Sequence, residues 1–392
     1  MMMNIKPYVL KEQEHLIALR RYFHAHPEPS LKEYETARKI EQELDAYGIA
    51  HERVGETGVY ASIHGGKGTG KVIALRADID ALAMDDLKDV EYCSKNQGCA
   101  HACGHDAHTA VLLTAAKLLK ETQESFAGEV RFFFQQAEEI GQGARQFVEK
   151  GLLNGVDRVY GAHVCSSIDV GDVSLTPGPM NASCDYFKIT IKGKGAHVST
   201  PQLGIDALYI ASSIVVNLQS IVARNTAPID SAVVGVGVLK AGTQYNIIAE
   251  DAVIEGTTRA FTPETRAFTN ERVKMIAQKT ASMYGAEAIV SFTDYAAPLI
   301  NDAEAADEVR DIARHIIGSE HIISNQTKML QADDFADYLA KVKGVYAFVG
   351  SRNQKNSNTG MAHHHGLFDI DENALLISLN LFVDYTLSFL QN

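Results

Sequence analysis

Short, almost wholly apolar segments alternate with helical segments over the first 180 residues, and this alternation limits the fold more than any other feature of the sequence. Residues 71–77, 129–134 and 156–164 are rich in valine, isoleucine, phenylalanine and alanine, as expected of strands buried on both faces. The periodicity of residues 107–119 is typical of a helix. The alternation predicts an α/β domain with a mainly parallel sheet and helices on both faces.

The pattern changes near residue 183. Residues 185–192 (DYFKITIK) alternate polar and apolar side chains, which is typical of a strand with one exposed face. Helices and strands then follow in the order β-α-β-β-α-β of a ferredoxin-like α+β domain. We therefore predict one domain formed by residues 1–182 and 297–392, with residues 183–296 inserted as a second domain.

Composition and charge exclude several classes of protein. The chain has 392 residues, of which 46% are hydrophobic and 22% charged, as in an average soluble globular protein. The formal net charge of −13 disfavours binding to nucleic acid or to an anionic membrane, and no continuous apolar run reaches the ~18 residues that span a bilayer. The N-terminus lacks a signal-peptide pattern, and five cysteines do not suit a complete disulfide framework. We expect a cytoplasmic protein whose cysteines can bind metal.

The densest group of reactive side chains is HACGHDAH (101–108), which contains three imidazoles, one thiol and one carboxylate. Thiolate and imidazole together suit Zn²⁺, and carboxylates also suit Mn²⁺. The segment therefore predicts a metal site. The alternative is a histidine-rich loop whose side chains cap the following helix.

Acidic and imidazole side chains also follow three of the predicted strands: Asp78 and Asp80, Glu138 and Glu139, and His163. Because open α/β sheets place their ligand sites at the carboxyl ends of strands, we expect these side chains to converge. The adjacent glutamates suggest divided roles, in which one binds metal and the other is a general base. The alternative is a pair of solvated acids at the start of a helix.

The glycine-rich segment 65–71 (GGKGTGK) is similar to a phosphate-binding loop but is not predicted to bind a nucleotide. Val72 stands where that motif requires serine or threonine, and a strand follows where a helix is required. We interpret the segment as a hairpin turn.

Together these motifs resemble the co-catalytic metallopeptidase family of aminoacylases and carboxypeptidases (peptidase family M-twenty, subfamily D), which includes N-acyl-amino-acid amidohydrolases and auxin-conjugate hydrolases. The matching segments extend over nearly the whole chain and are RRYFHAHPEPSLKEYET (20–36), ALRADIDALAM (74–84), HACGHDAHTA (101–110), QQAEE (135–139), GAHV (161–164), GKGAHVSTPQLGIDA (193–207) and HHGLFDIDENAL (364–375). The resemblance implies two divalent metal ions per subunit, zinc or manganese, with cobalt or nickel also compatible.

The resemblance also implies a role for each matched residue. The implied metal ligands are Cys103, which would bridge the two ions, His105, Glu139, His163 and His364, with His363 and His365 as alternatives to His364. Glu138 is the implied general base, and Asp80 would orient the metal centre. His197 would polarise the scissile carbonyl, from this chain or from a partner subunit. Asn246 and Arg259 would lie near the substrate, with Arg259 binding a carboxylate.

From the resemblance we expect hydrolysis of the amide bond of an N-acyl amino acid, N-acetyl above all, or of a similar small conjugate, with release of a carboxylate and a free amino acid. The inserted domain would act as a lid and join two subunits in a homodimer. One alternative is a dipeptidase, a carboxypeptidase or an aminobenzoyl-glutamate-type hydrolase with the same site. An alternative from another class is a non-catalytic metal-binding protein, although such a protein has no need for the second carboxylate at Glu138.

The chain departs from the usual family pattern at several positions. Proline is usual at the positions of Ala83, Gln136 and Gly366, and histidine at that of Gln202. The segment Cys165-Ser166-Ser167 after His163 is also unusual. The changes at residues 165–167, 202 and 366 border the expected cleft. They therefore make the identity of the substrate less certain than the type of reaction.

Overall fold

The computed structural model describes residues 4–391, and its chain divides into two compact units. The first unit consists of Met1–Gly178, Asn301–Thr327 and Asp334–Asn392. The second consists of Pro179–Ile300 and Lys328–Asp333. The N-terminal and C-terminal parts of the described chain therefore both belong to the first unit.

The helices and strands are numbered in chain order. The helices are α1 (Pro7–Lys11), α2 (Gln13–Ala25), α3 (Tyr34–Ala46), α4 (His105–Glu121), α5 (Gly143–Glu149), α6 (Ala207–Leu218), α7 (Pro263–Met283), α8 (Ala303–Ile317), α9 (Phe335–Leu339) and α10 (Asn373–Gln391). The strands are β1 (His51–Val54), β2 (Gly58–His64), β3 (Val72–Asp78), β4 (Glu129–Gln135), β5 (Arg158–Asp169), β6 (Val173–Ser174), β7 (Gly178–Asn181), β8 (Cys184–Lys192), β9 (Ala196–His197), β10 (Ala232–Ala241), β11 (Ile247–Ile248), β12 (Asp251–Ala260), β13 (Glu287–Ala296), β14 (Leu299–Asn301), β15 (Ile322–Ile323) and β16 (Gly344–Arg352).

The first unit is built on a sheet with the strand order β1-β2-β4-β3-β5-β16-β6-β15. Its centre, β4-β3-β5-β16, is parallel throughout, whereas β1 and β2 form an antiparallel edge. Strands β3 and β16 are mainly apolar and are buried along almost their whole length, as expected of central strands covered on both faces. The predicted mainly parallel sheet is confirmed.

Helices cover both faces of this sheet. On β5, the ring of Tyr160 lies 4.7 Å from that of Phe382 in α10, while the neighbouring Gly161 lies against Phe335 in α9. Because successive strand residues point to opposite faces, α10 and α9 pack on opposite sides. Helix α4 shares the α10 side and is buried along almost its whole length.

The interpretation of segment 65–71 as a hairpin turn is wrong. Strands β2 and β3 flank β4, which is antiparallel to β2 and parallel to β3. The glycines allow the backbone before β4 to approach closely, since a Cβ at Gly65 would lie 2.3 Å from the carbonyl oxygen of Phe126. The local sequence pattern around residues 65–71 did not show that β4, more than fifty residues later in the chain, lies between β2 and β3.

The second unit contains an antiparallel sheet with the order β10-β12-β8-β13, packed against α6 and α7. In chain order its main elements are β8-α6-β10-β12-α7-β13, as predicted. Alternate residues of β8, namely Phe187, Ile189 and Ile191, are buried in its core. A short ribbon of β9 and β11 accompanies this sheet.

Two helical segments, Ala207–Asn225 and Asn373–Gln391, are long and apolar enough by length and composition to cross a membrane. In the second, 78% of the apolar window is buried inside the structure, as in a core helix of a soluble protein. Its polar residues have partners within the first unit: Asn380 accepts a hydrogen bond from the backbone N–H of Lys6, and Asp384 from the Tyr8 hydroxyl. The criterion of a continuous apolar run did not select either segment, because polar residues interrupt both helices.

Candidate metal centre

The five predicted metal ligands come together in the first unit, next to the parallel strands. His163 lies on β5, His105 begins α4, and Glu139 follows β4. Among the described residues, two of the groups whose ligand atoms lie within 4.8 Å of one another consist wholly of predicted ligands: Cys103 with His105 and His163, and Cys103 with Glu139 and His364. Cys103 belongs to both groups, which is the position of a ligand shared by two ions.

The distances between the ligand atoms match those around a metal ion. Cys103 Sγ lies 3.5 Å from His163 Nε2, and His364 Nε2 lies 3.3 Å from Glu139 Oε2. His105 Nε2 lies 3.9 Å from Glu139 Oε1. Tetrahedral sites with metal–ligand bonds of about 2.0–2.3 Å place their ligand atoms at about this separation.

Two of the predicted ligand atoms have no hydrogen-bond partner among the described residues, although both are buried. They are His105 Nε2 and Glu139 Oε1. A buried polar atom left without a partner costs about 1–3 kcal/mol. A cation between them would satisfy both, so the donor set fits a metal ion.

The remaining ring nitrogens hold the imidazoles in the orientation that metal binding needs. His105 Nδ1 lies 2.9 Å from the carbonyl oxygen of Asp80, and His163 Nδ1 lies 2.7 Å from that of Val164. A carbonyl oxygen only accepts, so each Nδ1 carries a proton and Nε2 is the ring nitrogen left for a metal ion. Both Nε2 atoms face the cluster, and that of His105 must lose its own proton before it can bind metal.

Asp80 lies behind the cluster and contacts two of the predicted ligands. It is fully buried, and its Oδ2 accepts hydrogen bonds from the Ser30 hydroxyl at 2.7 Å and from the Glu139 N–H at 3.1 Å. Its Oδ1 lies 3.2 Å from His105 Nδ1. Burial opposes ionisation of Asp80, but the hydrogen bond with His105 lowers its pKa below the usual value. One carboxylate thus fixes two predicted ligands.

Without metal, the site holds protons on two of its ligands. Burial raises the pKa of the Cys103 thiol well above its usual value, and Glu139 and Glu138 add to the effect. Burial disfavours the His105 cation, but Asp78 and Asp80 outweigh it and raise the His105 pKa to about 10. Metal binding must displace both protons, since only thiolate and neutral imidazole are ligands.

The histidine tract separates into three different environments. His364 adopts a left-handed backbone (φ 65°), and its N–H donates to the carbonyl of Ala102 at 2.8 Å. His363 Nδ1 lies 3.8 Å from Cys103 Sγ, and its Nε2 accepts from the Ser166 N–H at 3.4 Å. His365 is exposed and accepts from the Leu367 N–H. Of the three, His364 is the one that faces Glu139, whereas His363 borders the cluster on the Cys103 side.

A buried ionic network behind the cluster was missed by the sequence reasoning. Arg76, on β3, lies 2.5 Å from Asp78 and 2.9 Å from Asp334. Asp78 in turn lies 2.6 Å from His108 Nδ1. Burial opposes ionisation of Asp78, but His105 and Arg76 hold its pKa well below the usual range. An arginine inside an otherwise apolar strand was the sequence signal for this network.

The other three predicted site residues lie in the second unit. His197, on β9, is exposed, and its Nδ1 accepts hydrogen bonds from the N–H of Ser199 at 3.0 Å and from its hydroxyl at 2.6 Å. Its Nε2 therefore carries the proton and can donate. Asn246 is on the same ribbon, where its carbonyl accepts from the Val198 N–H at 3.1 Å. Arg259 lies on β12 and forms no salt bridge within residues 4–391.

Comparison with known proteins identifies the family of this chain. The model of peptidase family M20/M25/M40 matches residues 74–387. The chain belongs to this family. An N-acetyl-L-cysteine deacetylase of Bacillus subtilis is 40% identical over 93% of this chain and 85% of the relative. A thermostable carboxypeptidase of Saccharolobus solfataricus is 37% identical over 95% and 94% of the two chains.

A solved structure of a dinuclear metal-binding M20 peptidase from Bacillus subtilis is also similar. It has a TM-score of 0.84 and 34% identity, and the match covers 97% of this chain and 99% of the other. This M20 chain is therefore an enzyme, a metal-dependent hydrolase, and the predicted family is confirmed. The alternative of a non-catalytic metal-binding protein is not supported.

Proposed function

We propose that this M20 hydrolase removes the acyl group, N-acetyl above all, from an N-acyl amino acid or a similar small conjugate. In this proposal, two divalent ions would be held by Cys103, His105, Glu139, His163 and His364. Zn²⁺ or Mn²⁺ suits the mixed thiolate, imidazole and carboxylate set, and Co²⁺ or Ni²⁺ is compatible.

The position of Glu138 is the observation that carries the proposal. Its Oε2 lies 4.0 Å from His105 Nε2, beside the ligand atoms, while the next residue, Glu139, faces His105 and His364. Two divalent ions, when bound, supply an acidified water and polarise the amide carbonyl. Glu138 takes the water proton and delivers it to the amine nitrogen as the carbon–nitrogen bond breaks.

Other residues support the same reaction. Asp80 orients His105 and Glu139, and the Nε2–H of His197 is proposed to donate to the carbonyl oxygen as it gains charge. Arg259 is proposed to bind the carboxylate of the amino acid, because its guanidinium forms no salt bridge within residues 4–391. Asn246 is proposed to lie near the substrate with them. In a chain of net charge −13, such a local cation is needed to attract an anionic substrate.

The similarity to an N-acetyl-L-cysteine deacetylase supports an N-acyl amino acid as substrate. The similarity to a carboxypeptidase keeps a dipeptidase or carboxypeptidase activity as the second candidate. Both reactions hydrolyse an amide and use the same base, so the substrate pocket and not the metal cluster distinguishes them.

We also propose a cytoplasmic homodimer that pairs through the second unit, which residues 183–296 make up almost entirely and which would act as a lid. The outer face of α6 exposes apolar side chains, among them Leu208, Tyr209 and Val216, which suit contact with a second subunit. All five cysteines are free thiols. A reducing compartment preserves Cys103 as a ligand. Light scattering of the purified protein tests the dimer.

The test measures amine release by chelated enzyme resupplied with Zn²⁺, Mn²⁺, Co²⁺, Ni²⁺ or no metal. The substrates are N-acetyl amino acids, N-acyl amino acids of longer chain, aminobenzoyl-glutamate and dipeptides. We expect metal-dependent release from N-acetyl amino acids at the highest kcat/KM. Preference for dipeptides would instead establish the second candidate.

Glu138→Gln tests the proposed role of Glu138 as the general base. The variant keeps the shape of the side chain and removes the base, so kcat falls by about 10²–10⁴-fold while two metal ions remain bound. Loss of metal together with activity would show that Glu138 is a ligand and that the base has been misassigned.

A further inference from the structure

The loop between β4 and α5 contains a strained residue directly before the two glutamates. Ala137 has a φ of 54°, in the left-handed region that residues with a Cβ rarely adopt. Such a conformation persists only where neighbouring groups hold it. The direction in which Glu138 leaves the backbone depends on this residue.

Glu33 is the buried side chain that holds Ala137. Its Oε1 accepts a hydrogen bond from the Ala137 N–H at 2.9 Å, and its Oε2 accepts one from the Thr57 hydroxyl at 2.7 Å. The residue is fully buried, and none of the roles proposed above uses it. Burial and the nearby Asp80 raise the pKa of Glu33 to about 7. The surroundings therefore disfavour a charged carboxylate at this position.

Glu139 has a separate attachment. Its N–H donates to Asp80 Oδ2 at 3.1 Å, whereas Glu33 binds the N–H two residues earlier. The glutamate pair is therefore fixed on both sides, with Glu138 between the two attachments. Loss of the Glu33 contact leaves the ligand Glu139 attached and releases the backbone that leads into Glu138.

We propose that Glu33 is a positioning residue that imposes the left-handed conformation of Ala137 and thereby directs the carboxylate of Glu138 to the reacting atoms. The inference rests on the proposed role of Glu138 as the base. It also gives a function to the segment EPSLKE (28–33), in which Ser30 holds Asp80 and Glu33 holds Ala137.

A pair of variants of equal size tests the contact. Glu33→Gln keeps an oxygen that can accept from the Ala137 N–H, whereas Glu33→Met fills the same space without an acceptor. We expect Glu33→Met to lower kcat by about 10–100-fold, as loss of a supporting contact does, with KM changed less than about threefold and two metal ions retained. Glu33→Gln keeps more than about a third of the parental kcat.

Ala137→Gly tests whether backbone strain at residue 137 is the reason for the loss of kcat in Glu33→Met. Glycine adopts positive φ without cost, and the turn bonds from Gln142 N–H to the residue 137 carbonyl and from Gly141 N–H to the Glu138 carbonyl remain. The double variant Glu33→Met/Ala137→Gly should therefore have a kcat at least about tenfold higher than that of Glu33→Met alone. Thr57→Val is the matched control, since it removes the other hydrogen bond of Glu33 and leaves kcat within about threefold.

Four results would each overturn the inference: an unchanged kcat in Glu33→Met, loss of metal in step with kcat, an equal loss in Thr57→Val, or no recovery with Ala137→Gly. If Glu33→Met does not fold, Glu33→Asp takes its place, because the shorter carboxylate cannot reach both donors. Its kcat falls at least tenfold, and an unchanged kcat overturns the inference. If Glu138→Gln is fully active, the proposed function itself fails; if it is inactive while Glu33→Met is unaffected, only this inference fails.

Discussion

The two groups of predicted functional residues lie in contrasting surroundings. In the first unit, His105 and Asp80 are fully buried and tied to each other, and their pKa values are displaced. In the second unit, His197 and Asn246 are exposed on a short two-stranded ribbon. The first group is thus organised before anything binds, whereas the second is free to adapt to a ligand. Changes in the proposed metal ligands should therefore alter the metal content, whereas changes in the second group should alter turnover or substrate affinity and leave both metal ions bound.

The largest expected effect is that of Cys103→Ala. Loss of the shared ligand reduces the metal content from two ions per subunit to one or none, and turnover falls to background. Metal analysis after dialysis measures the number of ions per subunit, and amine release measures the turnover.

Cys165→Ala is the matched control for that variant. Cys165 is a buried free thiol on the same strand as His163, but it contacts the Ser167 hydroxyl and belongs to none of the candidate metal groups among the described residues. Two bound ions and near-parental turnover are expected. Equal metal loss in both variants would contradict the assignment of Cys103.

The next largest effect is that of pH on metal affinity. The free site holds protons on Cys103, whose pKa is well above its usual value, and on His105, whose pKa is about 10. Below those values each bound proton must leave, so affinity rises with pH. Filling both sites strengthens by about 10⁴-fold between pH 6 and 8 if two protons are displaced. Calorimetry in buffers of different ionisation enthalpy counts the protons, and a count of zero would contradict the assigned protonation.

His197→Ala tests the second group. Removing one donor to the developing oxyanion costs about 10²–10³-fold in kcat, while the metal content stays at two ions per subunit. Ser199→Ala removes only the hydroxyl contact with His197 Nδ1 and keeps both the ring and the backbone N–H contact, so its effect is smaller. Loss of metal in His197→Ala would contradict the expectation that changes in the second unit leave the metal ions bound.

Arg259→Lys has the smallest expected effect. Lysine keeps the charge but not the planar fork that binds a carboxylate through two hydrogen bonds, so KM rises about tenfold for acyl amino acids. An uncharged amide of the same substrate is the control, and its KM should be the same in both enzymes. A matching rise for the amide would remove Arg259 from carboxylate binding.

The fold class and the convergence of Asp80, Glu139 and His163 were predictable from local pattern, whereas His364 was chosen only from the family resemblance. Strand–helix alternation predicts a parallel sheet, and ligand-type residues at strand ends then have to meet at one edge. The contact of Arg76 with Asp334 was not predictable, since 258 residues separate the two. The position of β4 between β2 and β3, and the contact of Glu33 with Ala137, were missed for the same reason. Such pairings follow from tertiary packing, and no short motif contains both partners.

The pairing of β5 with β16 brings residues together across a long stretch of chain, and this has a consequence for biosynthesis. His163 and His364 lie on either side of the whole second unit, so a ribosome adding about 5–20 residues per second needs about 10–40 s to pass from one to the other. The second unit is nearly continuous in sequence and is able to fold during that interval. Metal loading of the complete cluster is therefore a late event, which follows synthesis of the segment after β16 that contains His364.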